Sequence, residues 1–145
     1  MVKPLEIFAV VWVAMFATSF WESYVEGRNA FDKGKFGWKI EFGKFYLTGY
    51  HFFLFIVMFP LLLSLPLVIY GWDKRLFGTL LSAYLTGTIV EDFGWFVVNP
   101  VVKISEFGPK FVDYYPWFKL GKVAIPVGYV LSVLGAFASW WVLWR

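Results

Sequence analysis

Four apolar runs dominate this chain of 145 residues, and each is close to the length that crosses a lipid bilayer. They extend over about Leu5–Val25, Tyr46–Gly71, Leu76–Val98 and Ala124–Trp144. A spanning helix needs about 20 apolar residues. The runs are continuous, whereas the strands of a membrane barrel alternate between apolar and polar positions. The sequence therefore predicts an all-α integral membrane protein, a four-helix transmembrane bundle that forms one domain over residues 1–145.

The composition agrees with a membrane protein. Hydrophobic residues make up 60% of the chain and charged residues 16%, against about 45–50% and about 25% in soluble domains. The chain has no cysteine, which excludes disulfides, thiolate metal sites and cysteine nucleophiles. The net charge of +3 comes from lysines that flank apolar runs, where lipid phosphates explain them. We therefore expect the lipid bilayer as partner and no nucleic acid.

The first run has some features of a signal peptide. Lys3 precedes it, and Ala17 and Ser19 have the small-residue spacing of a weak cleavage site. Glu6 interrupts the basic leader, and the run is longer than a signal-peptide core. We expect the segment to be retained as a helix.

The connections between the runs differ in length. The link Trp72–Arg75 forces the second and third helices into an antiparallel hairpin. Two long connections, 27–45 and 99–123, are separated by two crossings and so lie on the same side of the membrane. In the first, aromatic or aliphatic residues alternate with polar ones over 35–43, which is typical of a strand. The second mixes aromatic residues with lysines and is predicted to be interfacial.

The distribution of basic residues predicts an orientation. The two long connections contain nine lysines and arginines, and the opposite side contains four. Cytoplasmic loops are enriched in such residues. We therefore expect both long connections in the cytoplasm and both termini outside.

Glu91 and Asp92 are adjacent carboxylates within the third apolar run. A charged side chain in hydrocarbon costs at least about 2.5 kcal/mol, so two together need protons, partners or a metal. Successive helical residues point about 100° apart, so the two cannot face the same spot equally. Glu91, which shares its face with Thr88, is expected to face the site, with Asp92 in support.

Topology brings further polar residues to the same membrane face. The first helix ends there, the second begins there and the third returns there. The residues that converge are Glu22, Glu26, His51, Thr88, Glu91, Asp92 and Asn99. Glu22 and Glu26 are a like-charge pair one turn apart, which is unfavourable unless a positive charge or a proton intervenes.

Three kinds of role fit these residues. Carboxylates with one imidazole suit a divalent metal such as manganese, iron or zinc, with Glu22, Glu26, His51 and Glu91 as ligands. Closely spaced carboxylates also suit a general acid or base, or a proton carrier. Glu22, Glu26, His51, Glu91 and Asp92 are the catalytic candidates, and Asn99 and Thr88 would support them by hydrogen bonds. The structural alternative is that protonated carboxyls only hydrogen-bond neighbouring helices.

The fourth run carries a stripe of small residues at helical spacing: Gly128, Ser132, Gly135 and Ser139. Small residues allow helices to approach closely in lipid. We expect this face to pack within the bundle or between copies in a homo-oligomer.

Some segments resemble known sequences. The stretch Glu91-Asp92-Phe93-Gly94-Trp95-Phe96-Val97-Val98-Asn99-Pro100, with Tyr24-Val25-Glu26-Gly27 and Thr48-Gly49-Tyr50-His51, resembles runs in small uncharacterised multi-pass membrane proteins of prokaryotes. The resemblance implies a membrane protein with these positions as its polar centre and implies no activity.

The leading hypothesis is a polar site near one membrane face that binds or acts on a lipid-like or small-molecule ligand with a divalent metal. The first alternative is a proton or ion relay that uses the same carboxylates. The second is a non-catalytic subunit of a membrane complex.

Overall fold

Chemical signals at their ends delimit the four long helices. The computed structural model describes residues 2–28, 30, 37–43, 45–121 and 123–145. Helix α1 is Pro4–Glu26, with proline in its first turn and Gly27 at φ 61° after its end. Helix α2, Gly49–Tyr70, is capped by Thr48. Helix α3, Lys74–Val98, is capped by Asp73, whose carboxylate accepts the Leu76 N–H at 2.6 Å. Helix α4 is Val127–Trp144.

The chain is mostly helical (67%), and three helices are long and apolar enough to cross a membrane. These are α1, α2 and α4. The prediction of apolar helices long enough to span a membrane is thereby confirmed for three of the four runs. Helix α3 has the length of a span but a more polar composition, because it carries threonines, serines and the two carboxylates.

Helix α3 lies at the centre and packs mainly against α1 and α4. Its glycines permit the close approach: a Cβ on Gly94 would lie 2.5 Å from Ser19 Oγ, and one on Gly78 would lie 2.5 Å from Leu143 Cβ. Ser19 Oγ donates to the Glu91 carbonyl at 2.8 Å. The most polar helix is therefore the most enclosed one, while α2 and α4 expose nearly all of their most apolar stretches.

Two β-hairpins precede α2 and α4. Strands β1, Lys39–Phe42, and β2, Phe45–Thr48, pair antiparallel, as do β3, Trp117–Leu120, and β4, Val123–Pro126. The strand predicted from the alternation over residues 35–43 is confirmed by β1. Residues 35 and 36 of that alternation lie outside the described residues. The second hairpin was not predicted, and β2 and β4 occupy residues that the sequence assigned to the starts of helices.

The hairpins reveal an internal structural repeat. A glycine with a positive φ follows the first strand of each, Gly43 and Gly121. After each hairpin, the first residue of the next helix donates to the residue just before the first strand: Gly49 N–H to Trp38 O at 2.7 Å and Val127 N–H to Pro116 O at 3.0 Å. The chain is therefore two successive units of helix, hairpin and helix.

Helix α2 changes register in its first half. Residues Phe52–Met58 form a π-helix, and Phe59 N–H donates to Leu54 O, five residues back. In that register the Phe55 carbonyl would need the N–H of residue 60, which is a proline and has none. The hydroxyl of Tyr84 on α3 donates to the Phe55 carbonyl instead. Pro60 thus explains the hydrogen bond between α2 and α3.

The second long connection folds over the end of α3. A 3₁₀ turn, Ile104–Glu106, follows the helix. Trp95, Phe96, Val102 and Val112 form a buried cluster, against which the aromatic residues of the connection pack. Several aromatics predicted to lie in the interface therefore cover this cluster, and Tyr114 and Tyr115 also reach the cavity described below.

Candidate functional site

A cavity of about 500 Å³ lies among α1, α2, α3, α4 and the two connections. Its volume falls in the range of about 300–1,000 Å³ that is usual for ligand pockets. Most of its wall is apolar or aromatic, and the polar side chains are concentrated in a few places. The predicted site residues that line it are Glu22, Glu26, His51, Thr88, Glu91 and Asp92.

One end of the cavity, which we call the Glu–His corner, consists of Glu22, Glu26 and His51. One donor atom from each lies within 4.8 Å of the others. His51 Nε2 is 3.3 Å from Glu26 Oε1. Glu22 and Glu26 are each only 4% exposed. Helix spacing within α1 and the first turn of α2 bring these three side chains together, as predicted.

The imidazole of His51 is oriented by the residue that caps its helix. Thr48 Oγ1 and His51 Nδ1 share a hydrogen bond of 2.5 Å, and Thr48 Oγ1 also accepts the His51 backbone N–H at 3.3 Å. The Phe55 ring stacks on the imidazole with centroids 6.2 Å apart. With Nδ1 engaged by Thr48, Nε2 is the nitrogen that faces Glu26. Thr48 was not among the predicted residues.

Glu91 adjoins the Glu–His corner. It is 5% exposed, and its carboxyl group is a close neighbour of that of Glu22. Two buried carboxyl groups this close favour a state in which one of them carries a proton. Among the described residues, the buried Oε1 atoms of Glu22 and Glu91 have no hydrogen-bond partner, and Glu26 Oε1 has the contact with His51 as its neighbour. Buried acceptors normally have donors, so these oxygens indicate an absent cation or donor.

Asp92 occupies a second polar place, which we call the Asp92 corner together with Tyr115 and Tyr129. Both hydroxyls donate to the same oxygen, Asp92 Oδ2, from 3.2 Å and 2.5 Å respectively. Burial raises the pKa of Tyr115 above its ordinary value, so its hydroxyl remains a donor. Glu91 and Asp92 therefore both line the cavity but have different neighbours, as their angular separation on α3 requires.

The supporting residues have separate roles. Thr88 lines the cavity, and its hydroxyl donates to the Leu85 carbonyl at 2.8 Å. Asn99 joins the ends of two helices: Nδ2 donates to Gly27 O at 2.8 Å, and Oδ1 accepts from the N–H groups of Val101 and Val102 at 2.9 Å. Within the described contacts, Asn99 is thus brought beside α1 but makes no hydrogen bond to the site carboxylates.

Trp95 is an additional candidate. It is 4% exposed and lines the cavity, and among the described residues its Nε1 has no hydrogen-bond acceptor. Its position one turn beyond Glu91 was the signal in the sequence. Among the described residues, the cavity therefore has one buried donor, Trp95 Nε1, and two buried carboxyl oxygens, on Glu22 and Glu91, without hydrogen-bond partners.

The small-residue stripe of α4 divides between packing and the cavity. Ser139 Oγ donates to Gly78 O at 2.9 Å, and a Cβ on Gly135 would lie 3.0 Å from Leu85. Gly128 and Ser132 line the cavity. The stripe is therefore used within the bundle; its use between copies stays a prediction.

Comparison with known proteins adds no identification. No family model, no curated protein and no solved structure matches this chain.

Proposed function

We propose that this protein is a four-span membrane protein whose Glu–His corner binds a divalent metal next to a cavity for a lipid-like ligand. In this arrangement α3 is the fourth span. Its polar side chains are tolerable because α1 and α4 enclose it. The two hairpins and the cavity then lie near one membrane face, and the excess of basic residues in the long connections favours the cytoplasmic face.

The observation that carries the metal proposal is the convergence of three donor groups, of which the two carboxyl groups are buried. Glu22, Glu26 and His51 offer donor atoms within 4.8 Å of one another, and Glu22 Oε1 has no hydrogen-bond partner among the described residues. Two carboxylates and one imidazole suit manganese, iron or zinc. Three protein ligands leave a position open for water or a ligand, as in catalytic metal sites.

The walls of the cavity favour a lipid-like ligand. Phe45, Leu47, Phe55 and Ile56 line one side and Leu131 lines another. Ile56 and Leu131 are also 53% and 62% exposed, so the cavity opens between α2 and α4. In a membrane this opening would face acyl chains, and an apolar ligand could reach the cavity from the bilayer.

Metal analysis tests the proposal. The protein is purified without chelators, loaded with manganese, iron or zinc, separated from free metal and measured by mass spectrometry. We expect about one metal ion per chain, lost in His51→Ala and Glu26→Gln because each removes one of three ligands. Glu6→Gln is the matched control, since Glu6 is an exposed glutamate on the same helix, paired with Lys3 at 2.9 Å. Metal content equal in wild type and His51→Ala would contradict the proposal.

The contact between Glu22 and Glu91 favours a second candidate, a proton relay. A shared proton between two carboxyls beside an imidazole can pass along the group. Proton flux into proteoliposomes is the measurement, and Glu91→Gln should abolish it while preserving the shape of the side chain. Equal flux with wild type, Glu91→Gln and empty liposomes would exclude the relay.

A further inference from the structure

The Asp92 corner has a composition different from that of the Glu–His corner, although both line one cavity. Its carboxylate receives hydrogen bonds from two neutral phenols, both at Oδ2, so neither tyrosine engages Oδ1. Neighbouring rings hold the tyrosines: Tyr115 stacks on Trp117 at 5.6 Å, and Tyr129 stacks on Phe107 at 6.1 Å. The corner is therefore a carboxylate within a rigid aromatic wall.

The structural repeat explains how the two corners differ. His51 is the third residue of the helix that follows the first hairpin, and Tyr129 is the third residue of the helix that follows the second. Both reach a carboxylate, Glu26 for His51 and Asp92 for Tyr129. The second unit thus has a phenol where the first has an imidazole. A neutral phenol is a poor ligand for the metals that suit the first corner, but its ring attracts organic cations.

The charges that line the cavity also favour a cationic ligand. Its lining includes four carboxylates, and among the described lining residues none is lysine or arginine. Glu91, the neighbour of Asp92 in the sequence, also lines the cavity, and its Oε1 is buried without a hydrogen-bond partner among the described residues. A metal in the Glu–His corner would compensate Glu22 and Glu26 and leave Asp92 without a positive neighbour. Uncompensated charge is costly in hydrocarbon, so the Asp92 corner is suited to a cation carried by the ligand.

We propose that the Asp92 corner binds the ammonium group of a cationic amphiphile, with Tyr115 and Tyr129 around that group and the apolar part directed towards Ile56 and Leu131. This ligand class rests on the proposed function, because it requires that the cavity be a ligand site. The carboxylate supplies charge, and the aromatic rings supply cation–π attraction, the combination by which proteins recognise quaternary ammonium groups. The two corners then bind different ligands: the Glu–His corner binds a metal, and the Asp92 corner binds an organic cation.

Calorimetric titration of the full-length protein in neutral detergent micelles tests this inference, with empty micelles as the blank. The probe is hexyltrimethylammonium, compared with hexanol and hexanoate, which have the same chain with a neutral or an anionic head. We expect saturable binding of the ammonium compound and at least about tenfold weaker binding of the other two, because they lose the attraction of a cation to the Asp92 carboxylate and to the aromatic rings. Equal binding of hexanol and hexyltrimethylammonium would overturn the proposal without any variant.

Variants then locate the site. Asp92→Asn should weaken binding of hexyltrimethylammonium about tenfold. Asp113→Asn is the control, because Asp113 is an exposed aspartate in the connection that carries Tyr115, and it should leave the binding unchanged.

Metal content is measured on the same samples: Asp92→Asn should retain its metal, and His51→Ala should lose it. Ammonium selectivity without any metal would refute the metal proposal alone, whereas metal binding without ammonium selectivity would refute this inference alone. Unchanged affinity in Asp92→Asn would place the cation elsewhere and also refute it.

Discussion

His51 has a contact at each ring nitrogen, and its chemistry depends on both. Thr48 engages Nδ1 at 2.5 Å, and Glu26 lies 3.3 Å from Nε2. In metal sites the second nitrogen of a ligating histidine is normally held by such a partner, which fixes the tautomer and the ring orientation. Thr48 therefore belongs to the proposed metal site although it would not contact the ion.

Thr48→Val should weaken metal binding by about 10–100-fold, the range found when such a supporting contact is lost. Affinity is measured by competition with a chromogenic chelator. Thr48→Ser retains the hydroxyl and should restore affinity close to wild type, because that hydroxyl makes both the Nδ1 contact and the helix cap. Equal affinities for Thr48→Val and wild type would show that Thr48 does not orient the imidazole.

Arg28 and Glu106 connect the end of α1 to the second connection. The guanidinium of Arg28 donates to both carboxylate oxygens of Glu106 and to Val101 O at 2.9 Å. The hydrogen bond from Arg28 and the backbone N–H of Lys103 hold the pKa of Glu106 below its ordinary value. A carboxylate with a lowered folded-state pKa stabilises the fold above its ordinary pKa, and the stabilisation disappears as the pH falls through the lowered value.

Glu106→Gln should therefore melt below wild type at neutral pH, and the difference should shrink in acid and vanish below the lowered pKa. Thermal unfolding followed across this pH range is the measurement. Asp113→Asn, exposed on the same connection, should melt like wild type at neutral pH. A difference for Glu106→Gln that persists unchanged in acid would mean that ionisation of Glu106 is not its cause.

At the level of helices, the Tyr84 hydroxyl replaces a donor that Pro60 cannot supply to the Phe55 carbonyl. Tyr84→Phe should leave that buried acceptor unsatisfied, at a cost of about 1–3 kcal/mol in the free energy of unfolding. Denaturant unfolding in mixed micelles gives this value. Tyr70→Phe removes a hydroxyl from a residue that is 83% exposed and should have no effect. A Tyr84→Phe variant as stable as wild type would show that another donor reaches Phe55.

The helices were largely predictable and the hairpins only partly, for a physical reason. Apolar runs of spanning length leave little choice but a helix, so α1 and α3 lie close to their predicted limits. At the ends of such runs, four apolar residues fit a strand equally well. Residues 124–126 of strand β4 were therefore assigned to a helix, although Gly121, at φ 59°, marks a turn shortly before them.

For the site, topology was sufficient to predict that Glu22, Glu26, His51 and Glu91 meet. Their chain positions at helix ends fix them at one face of any antiparallel bundle. The partners of Asp92 were not predictable, because Tyr115 lies in a long connection whose path depends on packing against Trp95 and Phe96. The position of Tyr129 could not be predicted either, because it depends on where α4 begins. The second hairpin, which was not predicted, places that start later in the chain than expected.

At the level of the whole molecule, the number of spans depends on α3. Because the chain has no cysteine, single cysteines at Trp72 and Leu120 can be labelled without background. Both side chains are 72% exposed, and only α3 separates them among the proposed spans. In intact cells an impermeant maleimide should label Trp72→Cys, and Leu120→Cys should react only after lysis. Labelling of both in intact cells would show that α3 does not cross the membrane.

The central position of the most polar helix has a consequence for biosynthesis. If α3 left the translocon by itself, Glu91 and Asp92 would enter lipid before α4 is synthesised and can enclose them. Each ionised carboxylate would then add about 2.5–3.5 kcal/mol to the free energy of insertion. The link Gly71–Asp73 is short, so α3 can enter together with α2, while α1 is already available for the contact between Ser19 and the Glu91 backbone. In the proposed four-span arrangement, insertion of α3 would thus be cooperative, and the polar centre would form only once its apolar neighbours are in the membrane.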